Sequence, residues 1–538
     1  MKTTKLLFFV ILSIIFSASI YADSLPQLDI PPLGTIREPL PYRIISFHKG
    51  GGDKRIIKRA AQLGFNGVQF QLEGDNVTRL KEWAETNEKE GYIKLCHSLG
   101  MKVTLWVREL SSISTKEIGE ISVDNEKLWK TLDERYEWVL GELLPDIDGL
   151  VLTVVETQIN AADTAIMNKI TDIIDAKCRK YNKDFIVRTF TWRPDELEQV
   201  MGAVNSLPDD VIIMTKCNPQ DWQIRGIHDP MIGKVGNREQ IIEFDVAGEY
   251  FFLDHVANPM PDRMKHYFDY GIQNNIDGVC VRVNRVGTDI WLNPQEVSLW
   301  ALGMFAGGMT DSVDDVWKAW ATERYGKEAA EGIIKTLKPA AEVVAEIINI
   351  GPFSFGDTRY KPAHCGSRVF SNTFQAWIWD ESYIPIYEMA DKGHPDFIWE
   401  TKKAKKNAML LAGECLDNLE KVKCKLDQTD YRILKTKLIT NKFQLEILTQ
   451  MQLATLECRR LHHSQNIDEK FKLAETIKKR FELIRKIYNQ PFPEPQYIEF
   501  RGKWFAVDHP TRFLVDQWEE WIEKTQSSID KGLANINK

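Results

Sequence analysis

From residue 42 onward the sequence repeats one pattern eight times: a short apolar, β-branched run, a turn, then an amphipathic stretch. The runs occupy residues 42–48, 66–73, 102–110, 148–156, 184–192, 210–218, 240–250 and 277–287. Near-continuous apolar runs with helical patterns between them predict parallel strands covered by helices. Eight such units within residues 42–310 fit a closed (β/α)8 TIM barrel, whose typical size is roughly 250 residues. A doubly wound open sheet is the main rival, but it rarely needs eight uninterrupted repeats.

Three strand openings share one form. Asn66-Gly67-Val68, Asp148-Gly149-Leu150 and Asp277-Gly278-Val279 each follow a helix end and turn into a strand through a polar residue and a glycine. They therefore belong to one rim, the bottom. The opposite ends of the strands form the top, where active sites of this fold are found.

Beyond residue 300 the strand signals fade, and amphipathic helices are predicted over 315–325, 327–348, 401–425, 430–461 and 468–488. Residues 311–538 therefore form a C-terminal, mostly α-helical domain. The aromatic- and proline-rich segments 351–387 and 489–511 read as loops packed back on the barrel.

The first residues carry Lys2 and Lys5, an apolar stretch from Leu6 to Phe16, and small residues up to Ala22 before Asp23. That is the layout of a secretory signal peptide over residues 1–22, with 23–41 as a linker, and it predicts a periplasmic or secreted protein. No later segment approaches the roughly 18 uncharged apolar residues that a bilayer span needs, so no membrane partner is expected. A net charge of −8 argues against nucleic acid, because phosphate neutralisation requires clustered Lys and Arg. The eight cysteines lack the close pairs of a zinc or redox site and are read mainly as small core residues rather than disulfides. No cofactor is expected, and a homodimer is compatible with the composition.

Polar groups collect at the ends of four strands. Strand four ends in Thr153-Val154-Val155-Glu156, strand five in Arg188-Thr189-Phe190-Thr191-Trp192, strand six in Lys216-Cys217-Asn218 with Asp221 beyond it, and strand seven in Asp245 with Glu249-Tyr250 beyond it. An ion-pair network would account for any one of these groups. All of them fall at the top of their strands, which points to a ligand. Glycoside hydrolysis needs carboxylates on opposite sides of a sugar ring, one protonated to donate to the leaving oxygen and another ionised to activate water or attack. Arg188 and Lys216 beside them call for an anion on the substrate, since burying two cations without one is costly. A uronic acid supplies it.

The segment from Val211 through Lys216-Cys-Asn-Pro-Gln-Asp221-Trp222-Gln-Ile-Arg225-Gly-Ile-His228 to Gly233, continuing into Ile242-Glu243-Phe244-Asp245-Val-Ala-Gly-Glu249-Tyr250, resembles the heart of the glycoside hydrolase family 67 α-glucuronidases. The helix Trp317-Lys-Ala-Trp320-Ala-Thr-Glu-Arg-Tyr325-Gly326 is similar to the start of that family's C-terminal domain. The resemblance implies a general-base pair at Asp221 and Glu249, an acid at Glu156, and a uronate clamp of Arg188 and Lys216. Trp192, Trp222, Arg225 and His228 complete the implied substrate-binding set. Family members carry a β-domain ahead of the barrel, whereas here only residues 23–41 precede the first strand, so a distant relative lacking that domain is also implied.

The implied activity is an exo-acting, inverting hydrolase that releases α-linked glucuronic or 4-O-methylglucuronic acid from uronic-acid-bearing oligosaccharides of the xylan type. A retaining glycosidase using Glu156 and Glu249 is one alternative, although that clan usually places Asn where Val155 stands. A non-catalytic sugar-binding barrel is another. The Lys49-Gly50-Gly51-Gly52-Asp53-Lys54 run lacks P-loop spacing and reads as a mouth loop, and His462 and His463 read as a solvated helix face. Trp106, Trp192 and Trp222 lie at strand ends, where sugar stacking and packing are both open. Arg108, Glu109, Arg282 and Asn284 lie near strand ends without an assigned role.

Overall fold

A computed structural model describes residues 36–48, 51–72, 77–110, 118–153, 164–189, 194–219, 224–246, 256–284, 290, 293–354, 381–490, 496–500, 503–507 and 518–534. All eight predicted runs form strands: β1 (Tyr42–Phe47), β2 (Gly67–Gln71), β3 (Lys102–Arg108), β4 (Gly149–Thr153), β5 (Asp184–Thr189), β6 (Ile212–Lys216), β7 (Gln240–Asp245) and β8 (Gly278–Asn284). They pair in chain order, all parallel, and β8 closes on β1 to make a barrel. Each strand is shorter than its run.

The shared strand openings have a common physical cause. Asn66 accepts a hydrogen bond from the Arg43 backbone N–H at 2.8 Å, Asp148 from that of Val103 at 2.6 Å, and Asp277 from that of Gln240 at 2.8 Å. Each polar side chain thus satisfies a donor at the foot of the preceding strand, which would otherwise be orphaned. The glycine that follows allows close approach. A Cβ on Gly149 would stand 2.7 Å from the Asp184 carbonyl oxygen, and one on Gly278 would stand 2.4 Å from that of Tyr42.

Inside the barrel the inward positions change character from bottom to top. A lower layer of Ile44, Val151, Ile186, Ile212, Met214, Ile241 and Cys280, with Trp106, forms an apolar cluster of its own. Two residues further along the same strands stand Ser46, Thr153, Arg188, Lys216, Glu243 and Arg282, all buried. Alternation along a strand keeps residues two apart on one face, so these polar groups share the barrel interior.

Helices α1 (Lys54–Gln62), α2 (Val77–Glu90), α3 (Tyr92–Ser98), α4 (Glu126–Trp138), α5 (Thr164–Lys180), α6 (Pro194–Ser206), α7 (Pro261–Gln273) and α8 (Glu296–Ala306) follow the strands. Asp53 and Asn125 cap α1 and α4 by accepting from backbone N–H groups of their first turns. After the barrel come α9 (Val313–Tyr325), α10 (Lys327–Leu337), α11 (Ala340–Ile348), α12 (Ile384–Asp391), α13 (Pro395–Val422), α14 (Gln428–His463), α15 (Ile467–Tyr488) and α16 (Trp518–Ala534).

Two hydrophobic cores organise them. The first surrounds the strands and takes in Trp317 and Trp320 of α9, Ile333 and Leu337 of α10, and the adjoining ends of α13 and α14, through Val422 and Leu434. The second joins α11, α13, α14, α15 and α16, and also includes Val256 from the segment between β7 and α7.

Several expectations are corrected here. The single helix foreseen over 327–348 is two, α10 and α11, separated at Pro339, which has no N–H to continue the ladder. Segment 351–387, read as a loop, ends in the first residues of α12, and segment 489–511 holds an antiparallel hairpin of Gln496–Phe500 with Lys503–Val507. Cysteines 96, 178, 217, 280 and 415 are buried free thiols, as a core role requires, but Cys424 is an exposed free thiol and Cys458 is disulfide-bonded.

Candidate active site

The top of the barrel carries the chemistry. Arg188, at the end of β5, is almost wholly buried, with 1% of its surface exposed. Its Nε donates to Glu243 Oε2 at 2.6 Å, and its guanidinium lies over the Trp106 ring at 4.4 Å from the centroid. Trp106 in turn donates its indole N–H to the Thr153 hydroxyl. Four strands therefore converge on one arginine: β3, β4, β5 and β7.

Lys216, at the end of β6, is also buried, and its Cα is the register partner of Glu243. Asp229 follows in the loop after β6, fully buried, with Oδ1 accepting from the Met231 N–H at 2.9 Å. Burial pushes its carboxyl up to about 7, against the opposing pull of that N–H, Lys216 and Arg188. Asp229 thus titrates near neutrality beside the two cations.

The other side of the mouth is built by β8, β1 and β2. His48 Nδ1 lies 3.0 Å from Gln71 Oε1 and 3.5 Å from Arg282 Nη2, while the His48 backbone N–H donates to Asn284 Oδ1 at 2.7 Å. Asp245 is the register partner of Arg282. Arg108 ends β3 with its guanidinium 5.6 Å from the Trp106 centroid. Among the described residues, the inward positions of the upper layer hold four cations, Arg108, Arg188, Lys216 and Arg282, and two carboxylates, Glu243 and Asp245.

The residues singled out in the sequence fall into three groups. Arg188 is bound to Glu243, Lys216 is the register partner of Glu243, and the charges of both cations act on the buried Asp229. Arg225 is engaged elsewhere: its guanidinium pairs with Glu342 and Glu346 of α11, each at 2.7 Å, and donates to the Gly351 carbonyl at 3.0 Å. Glu346 also pairs with Lys405 of α13 at 2.9 Å. Burial lowers the Lys405 ammonium to about 8, partly offset by Glu346. Arg225 thereby fastens the loop after β6 to the C-terminal helices.

His228 stacks on Tyr270 of α7 with 3.7 Å between centroids and 9° between planes. Burial, with His266 beside it, lowers its imidazole to about 4, so it is neutral at physiological pH. Glu156, Trp192, Asp221, Trp222 and Glu249 lie outside the described residues.

Of the strand-end residues without a role, Glu109 is bound to Arg135 at 3.2 Å and to the Tyr136 hydroxyl, both on α4, which makes it a strand-to-helix tie. Trp106 is packed beneath Arg188. Sequence reasoning overlooked Glu243, Asp229 and His48. The signal for Glu243 was strand parity: it stands two residues after Ile241 and two before Asp245, on the same inward face. Among the described residues, no group of three or more His, Cys, Asp or Glu side chains is placed to hold a metal ion.

No known family's sequence pattern matches the chain, and no curated protein matches it. Solved structures do. A family GH138 enzyme targeting pectin rhamnogalacturonan II aligns with 84% of this chain and 62% of its own, at 13% identity and a TM-score of 0.61. A family GH115 4-O-methyl-α-glucuronidase with specificity for decorated arabinogalactans aligns with 84% of this chain and 60% of its own, at 13% identity and a TM-score of 0.49. An O-GlcNAc hydrolase from Thermobaculum terrenum aligns with 93% of this chain and 96% of its own, at 9% identity and a TM-score of 0.43. The chain spans about three fifths of the length of the first two. At such identity the likeness to the GH138 enzyme establishes a shared fold, the closed eight-stranded TIM barrel.

Proposed function

We propose that this chain is a glycoside hydrolase that recognises a uronic acid at the top of its barrel. It removes α-linked glucuronic or 4-O-methylglucuronic acid from the end of an oligosaccharide, with inversion. The observation that carries the reading is the burial of two cations, Arg188 and Lys216, near the upper ends of the adjacent strands β5 and β6. Two cations withdrawn from water at the ligand-binding end of this fold suit a carboxylate, which Arg grips bidentately and Lys by charge.

In this reading Glu156 protonates the leaving oxygen while Asp221 and Glu249 activate a water on the opposite face of the ring. These roles come from the sequence resemblance to family 67. An acid and a base separated by about 6.5–9.5 Å leave room for that water, whereas a retaining pair sits about 5–5.5 Å apart. Export from the cytoplasm belongs to the same proposal: the first 22 residues have signal-peptide form, and the Cys458 disulfide suits an oxidising compartment.

The test is NMR of the sugar first released from uronic-acid-bearing xylan oligosaccharides. Inversion at an α-linkage yields β-glucuronic acid before mutarotation. First appearance of the α-anomer, or a mechanism-based label fixed covalently to Glu249, would establish a retaining enzyme instead.

A further inference from the structure

Arg188 is held on two sides by side chains that no role in the proposed chemistry yet covers. Glu243, with none of its surface exposed, engages Nε and so takes one edge of the guanidinium. Trp106 takes a face, and its ring cannot turn freely because the indole N–H is bound to Thr153. We infer that Glu243 and Trp106 are positioning residues that aim the Arg188 guanidinium at a substrate carboxylate. The inference rests on the uronate reading above.

Both contacts preorganise Arg188. An arginine side chain has many rotamers, and a ligand that must freeze one of them binds more weakly. Here the indole lies against the guanidinium and the carboxylate holds Nε, so the side chain is confined at two points. Glu243 also balances the charge of Arg188 when the mouth is empty, which a buried guanidinium requires. Glu243 therefore acts through Arg188, without touching the sugar.

The experiment compares methyl glucuronoside with methyl glucoside by titration calorimetry on the full chain, and KM with kcat on a uronic substrate. For Glu243→Gln, affinity for the glucuronoside should fall about tenfold to a hundredfold while that for the glucoside is unchanged. KM should rise more than kcat falls, because the uronate contact is made in both ground and transition states. Glu243→Asp, which keeps the charge but shortens the reach, should recover part of the loss. If Glu243→Gln does not fold, Trp106→Phe carries the same test, with about a threefold loss for the glucuronoside only.

Equal losses for both sugars would mean a structural role alone and overturn the inference. A folded Glu243→Gln protein with wild-type discrimination would overturn it while leaving the uronate reading intact. A wild-type protein with no preference for the glucuronoside would overturn both.

Discussion

At the lower rim of the barrel Asn66, Asp148 and Asp277 each accept one backbone N–H from the preceding strand. At the upper rim Arg188 is bound to Glu243 side chain to side chain, Lys216 and Glu243 are register partners, as are Asp245 and Arg282, and cations outnumber carboxylates among the described inward residues. The polar groups at the bottom each satisfy a backbone donor of the strand before them, and what further bonds they make, Asn66 to the Pro41 carbonyl and Asp148 to His97, stay near the same rim. Those at the top are buried charges whose balance depends on distant strands and, in the proposed function, on a ligand. Polarity inside a barrel is therefore informative only once its partners are named. A backbone partner marks stability, and an assembly of buried charges from several strands marks a site.

The contrast can be broken most forcefully at the top. Glu156→Gln should lower turnover by about 10²- to 10⁴-fold, the usual contribution of a general acid. The loss should shrink on substrates whose leaving group needs little protonation, measured as kcat on matched aryl and sugar glycosides. Equal loss on both would remove Glu156 from the role of acid.

At the bottom, Asp148→Ala should cost stability and leave chemistry alone. It strips the Val103 N–H of its acceptor and His97 of a partner at 2.8 Å, so a loss of about 1–3 kcal/mol is expected in denaturant unfolding. The ratio of activities on uronic and neutral substrates should stay at the wild-type value. A change in that ratio would show that the two rims are not separate in function.

A separate effect is expected in pH dependence. Asp229 is raised from 3.8 to about 7 by burial, so the folded state holds its proton more tightly than the unfolded chain does. Its contribution to stability is full below pH 3.8 and is lost as pH rises through about 7. Ionisation also places a negative charge beside Lys216 and Arg188, so affinity for a uronate should weaken over the same range. Asp229→Asn should flatten both profiles. A wild-type affinity that is constant from pH 6 to 8 would contradict this assignment.

Much of this was legible in the sequence, for definite reasons. The strands could be read because both of their faces are buried, so Val, Ile and Leu run nearly unbroken, and the lower rim could be read because Asn66-Gly67, Asp148-Gly149 and Asp277-Gly278 repeat one solution to one steric problem. Arg188 and Lys216 stood out as cations ending apolar runs. Glu243 did not, because Ile241-Ile242-Glu243-Phe244-Asp245 passes for an ordinary strand until parity is counted against Arg188, a partner 55 residues away. Arg225 was drawn into the site by its place in a resembling segment, yet its partners Glu342 and Glu346 lie more than a hundred residues on, in α11. Long-range pairing of this kind leaves no local pattern. The break at Pro339 did leave one, and the amphipathic periodicity on both sides concealed it.

In the proposed function the upper rim selects a carboxylate. The most direct measurement is the rate of hydrolysis of an α-glucuronoside and its matching neutral α-glucoside by the wild-type protein and by Arg188→Ala. The wild type should strongly favour the uronic substrate. Arg188→Ala should lose about tenfold to a hundredfold on that substrate and little on the neutral one. Equal cleavage of the two substrates by the wild type, or equal losses in the variant, would contradict it.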